Sequence, residues 1–549
     1  MIKRAVYFIL IGAVLLSGCN LPQNSPPTFI PPLGITATPA QVSYNPAPTQ
    51  PTAPLPLPTQ TRSADESGEA GGGEPHSPSP SLSPTPSIPP SATPEPTATL
   101  PPTPSVELAP ILYEAQAGDT LDVVATHFSV RTEDIESPLP IPQSSFINPG
   151  QLLIIPQTFI NTTSDKHLLP DSEFVYSPAT TASDFPQDVV AYVDEMGGYL
   201  SRYRGYLTTT EISGGEIVEQ IAKNNSINPY LLLAILEYQS GWVTGSPSNL
   251  RQQKYPLGYV SYKEDGLVNQ LRWAVNQLSI GYYGWREGRL VEIQLTNSQR
   301  HNDEVTARIA PTLNAGTVAL QYYFSQVYES DEWIQALDEE QGVMAVYREH
   351  FGDPGSRKHI YEPLFPADLT QPPLELPFQK GSRWTYTGGP HGAWEREGSM
   401  SAVDFAPTTF SGGCTKSYAY VTTSAPGLIV RSENGVVTVD LDGDGKEQTG
   451  WVLLYLHIAE EGRIAPGTWV QTGDKLGHPS CEGGISTGTH VHLARKYNGE
   501  WMTADGPIPF VMSGWTVHAG RKPYQGTLIQ GDQIVTASPY SAPGSRLWR

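Results

Sequence analysis

The nine residues STGTHVHLA (486–494) decide how the last third of this chain is read. His490-Val491-His492 alternates imidazole, valine and imidazole, and on a β-strand that spacing puts both rings on one face. Three other segments supply partners. LLYLHIA (453–459) carries His457 at the end of an apolar run. SAVDFAP (401–407) sets Asp404 in an apolar strand, and TGGPHGAW (387–394) offers His391 from a glycine-rich turn. A carboxylate among apolar neighbours is costly unless it is paired or bound to metal. Two histidines and one aspartate are what a catalytic zinc needs as protein ligands, with the fourth position left for water. The two remaining histidines can then move protons. Each signal alone is ordinary: a lone histidine at a strand end is usually a core or rim residue, and an isolated His-x-His is weak. Their joint occurrence, in this order within one β-rich segment, carries the reading.

That segment runs from 374 to 525. Its runs SYAYVTT, GLIVRS, GVVTVDL, WVLLYLHI and THVHLARKY are separated by Gly and Asn-Gly turns, as in an antiparallel sheet. The tail 526–549 carries no reading. The Tyr-Leu-His and Gly-Thr-His-Val-His-Leu texts resemble the lysostaphin-type, or β-lytic, zinc metallopeptidases. The resemblance implies a mainly antiparallel-β peptidase fold and one zinc ion held by His391, Asp404 and His492. It gives His457 and His490 the catalytic roles. Most members place the first His and the Asp four apart; here the gap is thirteen, as in the β-lytic branch. His478, in Gly477-His478-Pro479, is the nearest rival ligand and reads as an exposed loop residue. No His-Glu-x-x-His helix is present, so the general base falls to His457 or His490, and the sequence leaves open which. A preference for bonds beside glycine is implied by the resemblance alone.

The cluster Asp440-Leu441-Asp442-Gly443-Asp444-Gly445 looks like the start of a calcium loop. Its twelfth position is Trp451, where such a loop needs Glu, and its flanks read as strands. A hairpin turn is the reading, with Ca2+ the lesser alternative to Zn2+ as cofactor.

At 549 residues the chain should hold several domains. Residues 1–19 form a targeting segment: a basic MIKR, a short apolar stretch, then Leu16-Ser17-Gly18-Cys19. The ending resembles a bacterial lipobox, which implies cleavage before Cys19 and lipid attachment there, so that the membrane is a partner and the location is extracytoplasmic. Residues 20–110 hold nearly half of the 53 prolines and read as a disordered stalk, partly polyproline II. At roughly 3 Å per residue it could reach about 280 Å. Only Cys414 and Cys481 then remain, flanking the histidine cluster. An oxidising compartment predicts a disulfide between them, worth about 4 kcal/mol in the chain-entropy model; free thiols and zinc ligation are the competing roles. The net charge of −22 argues against nucleic acid as a partner and against simple electrostatic capture by an anionic wall.

Residues 111–156 resemble a LysM domain, a βααβ module. Gly118-Asp119-Thr120-Leu121 reads as a turn capping a helix, and Asn148-Pro149-Gly150-Gln151 as a second turn before the strand Leu152–Pro156. The resemblance implies binding of N-acetylglucosamine-containing glycan through loops near Gly118–Leu121 and Ile147–Gln151. PLPIPQSS departs from the family's second-helix text. Residues 158–185 and 353–373 read as linkers. Between them, 186–352 turn helical, with a start at Ser226-Ile227-Asn228-Pro229 and further runs near 267–282 and 313–327. NPYLLLAILEYQSGW (228–242) resembles the catalytic-helix region of lysozyme-like lytic transglycosylases and glucosaminidases. There the acid is a Glu; here the position is Gln239, and an amide cannot serve as that acid. Glu237 lies about 200° around the helix from it. A non-catalytic lysozyme-like helical domain is the expectation.

The sequence thus reads as a membrane-tethered, multidomain zinc metalloendopeptidase directed at peptidoglycan, cutting peptide stems or cross-bridges. The rivals are a non-catalytic wall-binding regulator of other hydrolases, a glycan-cleaving enzyme using the helical domain, and a protease of glycine-rich proteins.

Overall fold

The computed structural model describes residues 108–549 apart from 184, 297–303 and 409–411. The expected signal segment, 1–19, and all but the last three residues of the expected stalk, 20–110, lie outside the described residues. Among these residues no helix is long and apolar enough to cross a membrane.

The first module pairs the strands Ile111–Glu114 and Leu152–Ile155 antiparallel. The helix Leu121–Phe128 lies between them in sequence, with the Thr120 hydroxyl accepting the Val123 N–H as N-cap. Val124, Phe128, Ile147, Leu153 and Ile155 close a small core. The expected second helix is absent. A three-residue 3₁₀ turn, Thr132–Asp134, stands in its place. Beyond it Pro138, Pro140 and Pro142 each lack the N–H that a helix interior needs.

The helical region forms as its sequence signals direct. Ser213 and Glu216 make a capping box at the start of Gly214–Asn225. Pro229 opens the buried helix Pro229–Ser240, with Asn228 as cap. The helices Leu267–Arg286 and Ala315–Ser325 pack on each other. Both presumed linkers are corrected. Leu169, Phe174 and Val175 are fully buried, and 354–361 is a helix, Pro354–Tyr361, followed by buried Leu364 and Phe365. What joins them is an ion pair with no local signature: Arg357 Nε donates to Glu173 Oε1 at 2.6 Å in the interior. Glu173 also accepts from the Tyr347 hydroxyl.

Nine strands make one antiparallel sheet. Their spatial order is Trp469–Val470, Gly427–Glu433, Val436–Asp440, Trp451–Leu456, Val491–Tyr497, Ala402–Pro407, Arg383–His391 and Arg546–Trp548, with Glu500–Trp501 paired to Val491–Tyr497 off that path. Alternation divides its two faces. Leu453, Tyr455, Leu493, Val403 and Phe405 point into a core shared with a four-stranded sheet that supplies Val517 and Leu528. Leu454, Leu456, Ala494 and Ala402 point the other way, into the core of the helical region. The tail from 526 belongs to this fold. Gly526–Gln530 and Gln533–Thr536 are strands of the smaller sheet, and Arg546–Trp548 forms an edge of the larger. The boundary at 525 therefore falls inside the β region.

Candidate metal centre

Asp404 and His492 are direct cross-strand partners, so their side chains rise from the same face. That is the face on which the helical region packs. His391 is the last residue of Arg383–His391 rather than part of a turn. Two register shifts in that strand set Gly388 opposite Asp404 and His391 opposite Ala402. A side chain at 388 would not fit: a Cβ there would lie 2.5 Å from Asp404 Oδ2.

The three residues are 2%, 6% and 5% exposed for His391, Asp404 and His492. His391 Nε2 lies 3.0 Å from His492 Nδ1, and each of these nitrogens lies 3.3 Å from Asp404 Oδ1. The outer nitrogens fix the tautomers. His391 Nδ1 donates to the Gly389 carbonyl at 2.8 Å, and His492 Nε2 donates to the Ala393 carbonyl at 2.8 Å. In neutral rings the two inner nitrogens are therefore lone pairs. Two lone pairs and a carboxylate oxygen face one another, and Asp404 Oδ1 has no hydrogen-bond partner. Such a triangle is repulsive unless a cation or an extra proton sits in it. Tetrahedral zinc with bonds of 2.0–2.1 Å holds its ligand atoms about 3.3 Å apart, which is the spacing found. The outer hydrogen bonds are those that orient histidine ligands elsewhere.

The titration behaviour has the same origin. Burial opposes charge on His391, yet Asp404 beside it carries the imidazole above its ordinary value. Burial also opposes the Asp404 charge, but His391 and His490 hold its carboxyl well below the usual range. Burial lowers His492.

His457 and His490 stand together beside this triangle, ring centroids 4.5 Å apart. His490 Nε2 is 3.6 Å from Asp404 Oδ1. His457 Nδ1 is bound to the Glu482 carbonyl at 2.9 Å and His490 Nδ1 to the Gly488 carbonyl at 2.7 Å, leaving each Nε2 as a base. Burial, then the neighbouring His490 and His492, pushes His457 down to about 3, so it is neutral near pH 7. His457 follows its strand at φ +65°, an unusual conformation for a non-glycine residue. A Cys414–Cys481 disulfide ties the supporting loops. Glu482 follows one cysteine, and Thr415, after the other, donates its N–H to the Thr489 hydroxyl beside His490. His478 lies elsewhere, bound to the Ala419 carbonyl and packed on Tyr420.

Sequence reasoning missed two supports. Tyr524 stacks on His391 with centroids 4.1 Å apart, from a segment with no motif. The loop between His391 and Asp404, whose Ala393 carbonyl holds His492, is itself tied to the helical region: Arg289 donates to the Gly398 carbonyl at 2.9 Å.

The other candidates fare differently. Asp440, Asp442 and Asp444 sit in a hairpin between two sheet strands and could approach one ion. The Asp440 carboxylate already accepts the N–H groups of Asp442, Gly443 and Gly445, and burial raises it to about 6. In the helical region, Gln239 Oε1 accepts from the Tyr328 hydroxyl at 2.7 Å. Glu237 caps the turn after its helix, accepting the Val243 and Thr244 N–H groups.

A family model described as LasA, N-terminal domain, matches residues 167–364, taking in part of each presumed linker as well as the helices. Protease LasA from Pseudomonas aeruginosa strain UCBPP-PA14 is 27% identical over 309 residues, 53% of this chain and 68% of that protein. The PAO1 strain's LasA is 26% identical over the same length. Among solved structures, the M23 metalloprotease pseudoalterin from the deep sea is 24% identical, covering 33% of this chain and all of that one, with a TM-score of 0.27. The solution structure of lysostaphin is 17% identical, covering 31% and 89%, with a TM-score of 0.16.

Proposed function

We propose that the chain is a zinc metalloendopeptidase acting on peptidoglycan, with His391, Asp404 and His492 as the metal ligands. One observation carries the proposal: three acceptor atoms, on three different strands, converge at zinc spacing with no proton between them in their neutral tautomers. The similarity to LasA proteases supports a peptidase reading. The ion, when bound, supplies Lewis acidity toward a water and a peptide carbonyl. The protein does the rest. The Gly389 and Ala393 carbonyls hold the two ligand imidazoles in the tautomers that bind metal. His490 and His457, each with a free Nε2, take the water proton and pass one to the leaving amine, and their N–H forms can bind the oxyanion that develops. Peptide stems or cross-bridges of the wall are the substrate class, and lipid on Cys19 would tether the enzyme outside the cytoplasm.

The glycan-cleaving alternative is disfavoured because Gln239 is an amide and Glu237 is occupied as a cap. The non-catalytic regulator is disfavoured because all five site residues are present and assembled. Zinc content by mass spectrometry separates the readings: about one ion per chain is expected, and none for Asp404→Ala. Digestion of purified peptidoglycan should then give new amino termini with wild type, and none with Asp404→Ala or chelator-treated protein. Equal zinc in both proteins, or equal fragment release in all three samples, would contradict the proposal.

A further inference from the structure

The gap of thirteen positions from His391 to Asp404 makes a loop long enough to leave the sheet and reach the helices. We infer that Asn276 and Arg289, neither of them a ligand, are positioning residues for the metal centre: they seat this loop and so fix the Ala393 carbonyl that orients His492. The inference rests on the zinc reading above and deepens it by naming what holds the ligand set from outside the sheet.

The loop bears on all three ligands. It starts at His391, its Ala393 carbonyl accepts from His492 Nε2 at 2.8 Å, and it runs into the strand Ala402–Pro407 that carries Asp404. Its seat is one stripe of the helix Leu267–Arg286. Arg272, Asn276 and Ser279 are spaced i, i+4 and i+7, which puts them on one face. The Asn276 amide grips Glu397 twice: Oδ1 accepts its backbone N–H at 3.3 Å, and Nδ2 donates to its Oε2 at 3.5 Å. Gly398, next in the loop and at φ +96°, lies against Ser279, where an added Cβ would stand 2.7 Å from the serine Cβ. Arg289, just past the end of the helix, donates to the Gly398 carbonyl at 2.9 Å. Upstream, Glu395 is bonded to Asn225 of the helix Gly214–Asn225 and lies in the field of Arg272.

The apolar part of the loop is committed to the same layer. Ala393 is 4% exposed and belongs to the core of the helical region, with Trp394 packed against it. A carbonyl on a residue buried among helices goes where the helices put it. If the seat loosens, the bond from His492 Nε2 lengthens. The ring is then free to turn, or to carry its proton on Nδ1, the nitrogen that faces His391 and Asp404. A proton there takes one of the three acceptor atoms out of the triangle. Groups that orient a ligand commonly change metal affinity about 10–100-fold. A seat acting one step further out belongs at the lower end of that range.

The test uses the full chain as wild type, as Asn276→Ala with Arg289→Ala, as Arg289→Ala alone and as Arg289→Lys, each first checked by circular dichroism. Zinc affinity is measured by chelator competition, and the ligand set is read from the visible absorption bands of the Co2+-loaded protein. The double variant should bind zinc about tenfold more weakly and show shifted or weakened cobalt bands. Arg289→Lys, which keeps a donor, should lie near wild type. The Arg289 side chain is 44% exposed, so Arg289→Ala carries the test should the double variant not fold. Wild-type affinity and bands in the double variant would overturn the inference. Weaker zinc with unchanged bands would assign both residues to stability alone and overturn it as well, as would an Arg289→Lys protein no better than Arg289→Ala. The two proposals stay distinguishable: a wild type that binds neither zinc nor cobalt sinks both, whereas a wild type that binds and variants that match it sink only the positioning role.

Discussion

Gly388→Ala is the sharpest test of how the metal centre is held. Gly388 is not among the glycines with positive φ, so its backbone does not demand glycine. Space does. The added methyl would stand 2.5 Å from Asp404 Oδ2 and 3.0 Å from its Cγ, against the 3.4 Å at which ordinary contact begins, so the carboxylate must retreat by about 0.9 Å. The Asp404 backbone cannot follow freely, because it is locked in register with His492 and Gly388 on its two sides. The carboxylate must rotate instead, and Oδ1 leaves the triangle. Disturbing the groups that orient a metal ligand commonly costs 10–100-fold in affinity, about 1.4–2.7 kcal/mol. Competition with a fluorescent zinc chelator measures this, with circular dichroism confirming the fold. Gly544→Ala is the control, since a Cβ there meets nothing within 4 Å. A Gly388→Ala protein that is folded and binds zinc as wild type does would refute the reasoning.

Other outcomes follow from the same geometry. His457→Ala and His490→Ala should keep zinc yet lose about 10²–10⁴-fold in peptide release, whereas His492→Ala should lose the ion itself. Cys414→Ser with Cys481→Ser should lower turnover more than zinc content, because the disulfide braces the loops that orient His457 and His490; zinc loss in step with activity would argue otherwise. Burial works against the Glu447 charge, but Arg431 and Lys496 hold its carboxyl down to about 2. A depressed folded pKa stabilises above the unfolded value near 4.5 and is lost as pH falls through about 2, so wild type should shed about 3 kcal/mol across that window. Urea titrations should show a flatter profile for Glu447→Gln. Glu173→Gln should destabilise by about 2–3 kcal/mol, because a neutral amide replaces the buried carboxylate that accepts from Arg357 and from the Tyr347 hydroxyl; a melting temperature like wild type's would count against that pair's role.

That the candidate residues would cluster was legible because they carry local signals. His-x-His reports a shared face, and Asp404 in an apolar run is conspicuous as a charge that needs a partner. The helix at Pro229 announces itself through Asn228 and a proline at the first position. What failed was whatever depends on distant pairing. The segments 158–185 and 353–373 lack periodicity, and nothing in either reveals that Glu173 will meet Arg357. The tail is held by pairing to Arg383–His391, which has no signature in the tail itself. The second helix of the first module failed locally: its prolines forbid what the resemblance implied. Gly388-Gly389-Pro390 reads as a turn around His391, although the glycines serve as room for Asp404 and for the close approach of residue 525.

The ligands rise from the sheet surface that the helices cover, and this sets a condition on turnover. A peptide stretched across the strands toward Asp404 needs area that Leu454, Leu456 and Ala494 already share with another layer of the same chain. Guest and layer compete for one floor, so the rate at which intact protein works is bounded by how often that layer lifts. Low concentrations of urea should then quicken hydrolysis before they abolish it.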